Sequence, residues 1–143
     1  MSPTESTATP MFHTPVEVRW GDMDAYNHVN NARYLTYLEQ ARLAWLNTLD
    51  RSWLGPHCAP VLAAAQVNYR KPITWPASVE VILECQRLGS SSVTVGHRII
   101  DADKPDTLYC DGHTVLVWID PQAGTPVPLP DVIRKAIQTA PAS

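Results

Sequence analysis

The stretch RWGDMDAYNHVNNARYL, residues 19–35, leads from a polar segment into a run of helix-forming residues. Five polar residues of interest lie within the ten positions 22–31, and they are Asp22, Asp24, His28, Asn30 and Asn31. From residue 32 to residue 49, apolar side chains recur at spacings of three and four and leave only a narrow polar face. Because a helix that is apolar on most of its circumference is buried, the stretch predicts one central helix with a polar cluster at its N-terminus.

Strand patterns lie on both sides of this helix. Before it, apolar and polar side chains alternate, as in a half-buried strand. After the loop at 51–57, four more strands are predicted, so that the five segments are 12–20, 60–70, 78–88, 92–100 and 107–120. Strands joined by short turns are usually antiparallel neighbours. The order β-α-β-β-β-β therefore predicts an α+β fold, in which an antiparallel five-stranded sheet is wrapped around one long central helix.

Three segments are predicted along the chain. Residues 1–11 form a flexible N-terminal tail, and residues 12–120 form the domain. Residues 121–143 form a proline-rich segment that ends in a short helix, with Asp131 as its N-cap.

Composition excludes several classes of protein. The 143 residues are enough for one domain, and 45% apolar with 17% charged residues fits a globular chain. A net charge of −3 and a pI of about 5.9 predict no nucleic-acid partner and no binding to an anionic membrane. The first ten residues have neither the basic nor the apolar region of a signal peptide, so a cytoplasmic location is predicted.

No metal site is predicted either. The three cysteines form no CxxC pair, and the five histidines have no HxxxH or HxH spacing. His97 and His113 fall on strands and are interpreted as hydrogen-bonded sheet residues.

A second copy of the chain is expected. One curled layer of sheet covers about half of a helix that is apolar nearly all round, which leaves the other flank exposed. A two-fold partner would cover that flank, so the sequence predicts a homodimer or a homotetramer.

The polar cluster has a structural and a chemical interpretation. Asn30 is predicted to cap the helix, with Val29 and Tyr34 at the two hydrophobic-staple positions. A helix N-terminus collects unpaired N–H groups and partial positive charge, which suit an oxyanion. A nearby carboxylate, Asp22 or Asp24, could then act as a base or nucleophile on a carbonyl. The alternative is that both aspartates are solvated loop residues.

The order of one strand, WGDMDAYNHVNNARYLTYLEQAR and four strands resembles the hotdog-fold acyl-CoA thioesterases of the 4-hydroxybenzoyl-CoA thioesterase family. In that family a G-D-x-D pattern enters the central helix, and NHVNN is also similar to plant acyl-carrier-protein thioesterases. The element order matches over residues 12–120 and the motif over 20–42. The resemblance implies hydrolysis of an acyl-CoA, or acyl-carrier, thioester to a free acid and a thiol. No cofactor is expected, because a thioester is already activated.

Site residues follow from the resemblance position by position. The catalytic carboxylate falls on Asp24, as general base or as nucleophile, and Asp22 falls on a structural position. The backbone N–H that faces the thioester oxygen falls near Asn31, and a second amide falls on Ala64 or Ala65.

His28 has two open interpretations. The plant enzymes carry an asparagine two residues before this histidine, and the present chain has Tyr26 there. His28 is either a supporting residue of the site or a loop residue bonded to the backbone.

Substrate contacts are expected further along the chain. Tyr34, Leu38 and Trp53 are predicted to wall the acyl pocket. Cationic side chains that could bind CoA phosphates are Arg70, Lys71, Arg87 and Arg98, and solvated charge is the alternative for each. A hotdog hydratase or dehydratase, or a non-catalytic acyl-thioester-binding protein, remains as an alternative function.

Overall fold

A computed structural model describes residues 8–139, in which a curled antiparallel sheet packs against a long helix. The strands are β1 Thr9–Glu17, β2 Ala59–Tyr69, β3 Ser78–Leu88, β4 Ser92–Asp101, β5 Leu108–Asp120 and the short β6 Thr125–Pro126. The helices are α1 Asn31–Asn47 and α2 Asp131–Gln138. The predicted α+β architecture is confirmed, with the strand order β1-β3-β4-β5-β2 and β6 paired to β5.

The ends of the domain differ from the predicted ones. β1 begins at Thr9, inside the segment predicted as a tail, and residues 1–7 and 140–143 lie outside the described part of the chain. Helix α2 buries Ile133 and Ile137 and so contributes to the core. The prediction that Asp131 caps this helix is wrong, because Pro130 occupies the N-cap position and Asp131 is the first helical residue.

Helix α1 begins where the sequence predicts. The side chain of Asn30 accepts a hydrogen bond from the N–H of Ala32, which confirms the N-cap. The face toward the sheet buries seven residues, which are Tyr34, Tyr37, Leu38, Ala41, Arg42, Trp45 and Leu46. On the other flank Leu35 and Leu43 are 41% and 47% exposed. One chain therefore leaves apolar helix surface uncovered.

The two edges of the sheet have different surfaces. β1 contains Pro10 and Pro15, which lack N–H donors, and its pairing with β3 is irregular between Pro10 and Phe12. β2 pairs with β5 along one side, and no strand among residues 8–139 pairs with its other side. Residues 61–66 on β2 are exposed, including Val61 and Leu62.

Gly112 allows β5 to pass close to β2. Its φ is +143°, a backbone conformation that residues other than glycine rarely adopt. A Cβ atom at this position would collide with the carbonyl oxygen of Gln66 and would lie 2.9 Å from Nε2 of His97. Neither helix of the described chain is long and apolar enough to cross a membrane.

Candidate active site

A cleft of about 230 Å³ opens at the N-terminus of α1. It lies between the loop before the helix and the end of β2, and its lining residues are Asp24, His28, Val29, Asn31, Tyr34, Tyr69, Arg70, Lys71 and Pro72. The cleft thus brings together six predicted site residues from two distant parts of the sequence.

Asp24 closes the loop that precedes the helix. Its Oδ1 accepts hydrogen bonds from the N–H groups of Tyr26 and His28, at 2.8 and 3.2 Å, and its own N–H donates to the carbonyl of His28. Asn27 completes the turn with a φ of 60°, a left-handed conformation that asparagine tolerates. Oδ2 of Asp24 has no hydrogen-bond partner within residues 8–139 and remains available on a cleft-lining side chain.

The first turn of α1 supplies an unpaired donor. The N–H of Ala32 donates to the side chain of Asn30. The N–H of Arg33 donates to the backbone carbonyl of Asn30. The N–H of Asn31 has no acceptor in the described part of the chain, and it lies at the positive end of the helix. His28 lines the same cleft, and its ring makes no hydrogen bond to residues 8–139.

Asp22 has a different environment, although it is two residues from Asp24. Its side chain is buried and accepts hydrogen bonds from the Tyr37 hydroxyl at 2.8 Å and from the Arg19 guanidinium at 3.0 Å. Burial alone would raise the pKa of Asp22, but the hydrogen bonds from Arg19 and Tyr37 hold it below its ordinary value. The carbonyl of Asp22 also accepts from the N–H of Asn30. Asp22 therefore fastens the approach segment to α1 and does not line the cleft.

Two tyrosines form one wall of the cleft. Tyr34 is buried, and burial raises its pKa to about 12. Its ring meets that of Tyr69 edge-on, with ring centroids 4.8 Å apart. The Tyr69 hydroxyl donates to the carbonyl of Asn31 at 2.9 Å. Sequence reasoning did not select Tyr69, whose only signal is its position directly before Arg70 and Lys71.

Leu38 and Trp53, which are predicted to wall the acyl pocket, do not line this cleft of the single chain. Leu38 lies one turn beyond Tyr34 and is fully buried in the core. Trp53 follows the far end of α1, where its carbonyl accepts from Nε1 of Trp118 at 2.9 Å. A 17-residue helix is about 25 Å long, so Trp53 lies far from the helix N-terminus.

Ala65 is also outside the cleft of its own chain. On β2 it pairs with Thr114, whereas Tyr69 pairs with Cys110, four residues away. At about 3.3 Å per residue, Ala65 is roughly 13 Å from the end of the strand at the cleft.

The predicted cations divide into two groups. Arg70 and Lys71 line the cleft, and Arg70 forms an ion pair with Asp111 at 3.0 Å. Val81 on β3 lies in the same row of the sheet as Tyr69. Arg87 is six residues from Val81, which is about 20 Å along the strand. Arg98 lines a separate groove beside β1 and β3. Within residues 8–139, no group of three or more His, Cys, Asp or Glu side chains is arranged to hold a metal ion.

Comparison with known proteins gives consistent results. Residues 18–137 match the thioesterase-like superfamily. The long-chain acyl-CoA thioesterase FadM of Escherichia coli K12 is 29% identical over 127 residues, which span 87% of this chain and 96% of FadM.

Two solved structures share the fold. The PA2801 protein of Pseudomonas aeruginosa, a candidate thioesterase, has a TM-score of 0.85 at 42% identity and covers 90% of this chain and 98% of its own. A Thermus thermophilus thioesterase complexed with coenzyme A and Zn has a TM-score of 0.74 at 35% identity, with coverage of 88% and 90%. The hotdog fold implied by the resemblance is thereby confirmed, and the chain belongs to the thioesterase-like superfamily.

Proposed function

We propose that the protein hydrolyses an acyl-CoA, or acyl-carrier, thioester to a free acid and a thiol, with Asp24 as its catalytic carboxylate. One observation carries this proposal: Asp24, whose Oδ2 is unpartnered, and Asn31, whose N–H is unpaired, line the same cleft. The acyl-CoA thioesterase activity named for FadM and the coenzyme A bound to the Thermus enzyme support the choice of substrate.

The chemistry follows from these two groups. The N–H of Asn31 donates to the thioester oxygen and, with the helix dipole, stabilises the negative charge that develops there. Asp24 either takes a proton from water as the water attacks the carbonyl carbon, or attacks that carbon itself and is released by water. In both routes the C–S bond breaks and the thiolate takes up a proton. His28 lines the cleft as a supporting residue.

The cleft offers contacts for both ends of the substrate. Tyr34 presents an aromatic wall to an aliphatic or aromatic acyl group of modest size. Lys71 and Arg70 lie at the rim, where the phosphates of coenzyme A would find cationic partners. Arg70 is shared with Asp111, so Lys71 is the stronger candidate.

We propose that the active unit is a homodimer or a homotetramer. A cleft of about 230 Å³ is smaller than most ligand pockets, which have about 300–1,000 Å³. Leu35 and Leu43 on α1, and Val61 and Leu62 on β2, form exposed apolar surface that a second copy would cover. Such a copy could bring its own Ala65 toward the cleft, as the second amide donor.

Asp24→Asn tests the catalytic role. Asparagine keeps an oxygen that can accept from the N–H groups of Tyr26 and His28, so the loop and the melting temperature should be preserved. Loss of the carboxylate should lower kcat by about 10²–10⁴-fold. The measurement is release of free thiol from a series of acyl-CoAs, and Asp106→Asn on an exposed loop is the matched control.

Retention of more than about a tenth of the wild-type kcat by Asp24→Asn would contradict the proposal. The same assay separates the alternatives. A hydratase or dehydratase would change the acyl group without releasing thiol, and a binding protein would retain the acyl-CoA unchanged.

A further inference from the structure

Tyr69 joins β2 to the start of α1. Its hydroxyl donates to the carbonyl of Asn31 at 2.9 Å, and this is the one side-chain hydrogen bond between α1 and β2 within residues 8–139. Asn31 is the residue whose N–H is unpaired at the cleft. The bond therefore holds the proposed oxyanion donor from the side of the sheet.

The position of Tyr69 is itself fixed by its surroundings. Its backbone pairs with Cys110, and the next two N–H groups, of Arg70 and Lys71, both donate to the carbonyl of Tyr109. Its ring rests edge-on against the buried ring of Tyr34. The hydroxyl is thus presented by a paired strand end and by a ring that packs against Tyr34 on one side, while Tyr69 as a whole is 48% exposed.

The other side of the helix start is fastened separately. The N–H of Asn30 donates to the carbonyl of Asp22, and the N–H of Val29 donates to the carbonyl of Ile73. These bonds hold the chain that enters the helix. The carbonyl of Asn31 takes part in the first turn of α1 and also accepts from the Tyr69 hydroxyl on the side of the sheet. Removing the hydroxyl would release the cleft-facing side of the first turn while the entry segment remains in place.

We propose that Tyr69 is a positioning residue, which sets the N–H of Asn31 relative to the carboxylate of Asp24. The catalytic consequence rests on the proposed thioesterase function, whereas the structural consequence does not. When a donor is misplaced by less than an ångström, its hydrogen bond to the substrate oxygen weakens most in the transition state, where negative charge develops on that oxygen. We therefore expect a change in kcat rather than in KM.

Tyr69→Phe tests the inference because it removes only the hydroxyl. Tyr109→Phe is the matched control, since the Tyr109 hydroxyl donates to Asp101 at 2.7 Å and Tyr109 does not line the cleft. Hydrogen–deuterium exchange is measured on a peptide spanning residues 29–36, and kcat and KM are measured with an acyl-CoA that the wild type hydrolyses. Affinity for free coenzyme A is measured as well.

In Tyr69→Phe, the exchange rate of the 29–36 peptide should rise about threefold to tenfold, as for the loss of one net hydrogen bond. The value of kcat should fall by the same factor of about threefold to tenfold. KM and the affinity for coenzyme A should stay within about twofold of wild type, since the lost contact acts on the transition state. Tyr109→Phe should change none of these quantities at the cleft.

Three results would overturn the inference. They are unchanged exchange in Tyr69→Phe, equal acceleration in both variants, and a raised KM at constant kcat, which would make Tyr69 a direct substrate contact. If the wild type releases no thiol from any acyl-CoA, the proposed function fails, and the exchange comparison still decides whether Tyr69 holds the helix start.

Discussion

Asp22 and Asp24 are separated by one residue, yet their carboxylates have opposite surroundings. Asp22 is enclosed by Arg19 and Tyr37, so both of its oxygens serve the fold. Asp24 uses one oxygen to close its loop and leaves the other without a partner among residues 8–139. The first arrangement stabilises a structure, and the second leaves a group available for chemistry.

Asp22→Asn should lower stability with near-normal kinetics. Loss of the charge weakens the hydrogen bonds from Arg19 and Tyr37, and the free energy of unfolding should fall by about 1–3 kcal/mol. Because the folded pKa of Asp22 lies below the ordinary 3.8, its contribution is present above that pH and is lost as the pH falls through the folded pKa. Urea unfolding from pH 7 to pH 2 should therefore show the variant and wild type converging below about pH 4. A constant difference down to pH 2 would contradict this assignment.

His97 should make stability depend on pH in a higher range. Burial, with a smaller effect of Arg42, lowers its pKa from 6.5 to about 4, and the effects of Asp111 oppose this. The unfolded chain therefore binds a proton that the folded chain does not, and stability falls as the pH drops from about 6.5 to about 4. Over this interval of about 2.5 units the loss is about 3 kcal/mol at 1.36 kcal/mol per unit. His97→Gln should flatten that part of the urea-unfolding profile, and an unchanged slope would show that another group is responsible.

Single residues that depend on tertiary contacts were the hardest to predict. His97 was interpreted as hydrogen-bonded; its ring does contact the backbone of Asp111, but its Nε2 is buried without a partner in the described chain. Arg42 carries a charge, yet it is buried within α1. Tyr69 acquires its role from a residue 38 positions away. Periodicity indicates which face is apolar, and it does not show which polar side chains the fold encloses.

At the level of helices and strands the sequence was far more informative. The cap by Asn30 and the apolar spacing of α1 are local signals, and both predicted the helix start to within one residue. Strands β2 to β5 also lie close to their predicted ranges, because alternation and turn residues act over a few neighbours. β1 was predicted three residues too far along the chain, at 12–20 instead of Thr9–Glu17, since Pro10 resembles part of a tail.

Gly112→Ala should disrupt the pairing of β5 with β2. The added Cβ would meet the backbone of Gln66, which cannot move without breaking the strand pair, and the φ of +143° is itself strained for alanine. A loss of at least about 3 kcal/mol is expected in chemical unfolding. Gly55→Ala is the control, because a Cβ there meets nothing within 4 Å and should change stability by about 0.5 kcal/mol or less. Equal stability of the two variants would refute the close approach.

Three residues of the predicted site lie outside the cleft of the single chain. Leu38 and Trp53 are in the core, and Ala65 is on a distant part of β2. A sequence identifies residues that belong to a site, but it does not show whether one copy or two must supply them. The exposed apolar residues on α1 and β2 mark where the remaining walls would come from.

Activity should therefore depend on assembly. Leu62→Asp places a charge on the exposed part of β2 and should lower both the molar mass in light scattering and the specific activity. Leu54→Asp is the control, because Leu54 and Leu62 are similarly exposed in the single chain, at 46% and 48%. Dilution of the wild type should have the same effect as Leu62→Asp. A fully active monomer of 15.8 kDa would exclude the proposed dimer.

The contrast between the two sheet edges bears on how far such an assembly can grow. A sheet can extend without limit only if both edges of every copy can pair with another strand, because each added copy must then offer a free edge to the next copy. β1 carries two prolines and an irregular pairing, which disfavour the addition of another strand, whereas β2 has an unpaired side among the described residues. We expect that association through β2 pairs the β2 edge of each copy and leaves no other edge that readily accepts a strand. The chain would then form closed pairs at high concentration and would resist growth into fibres.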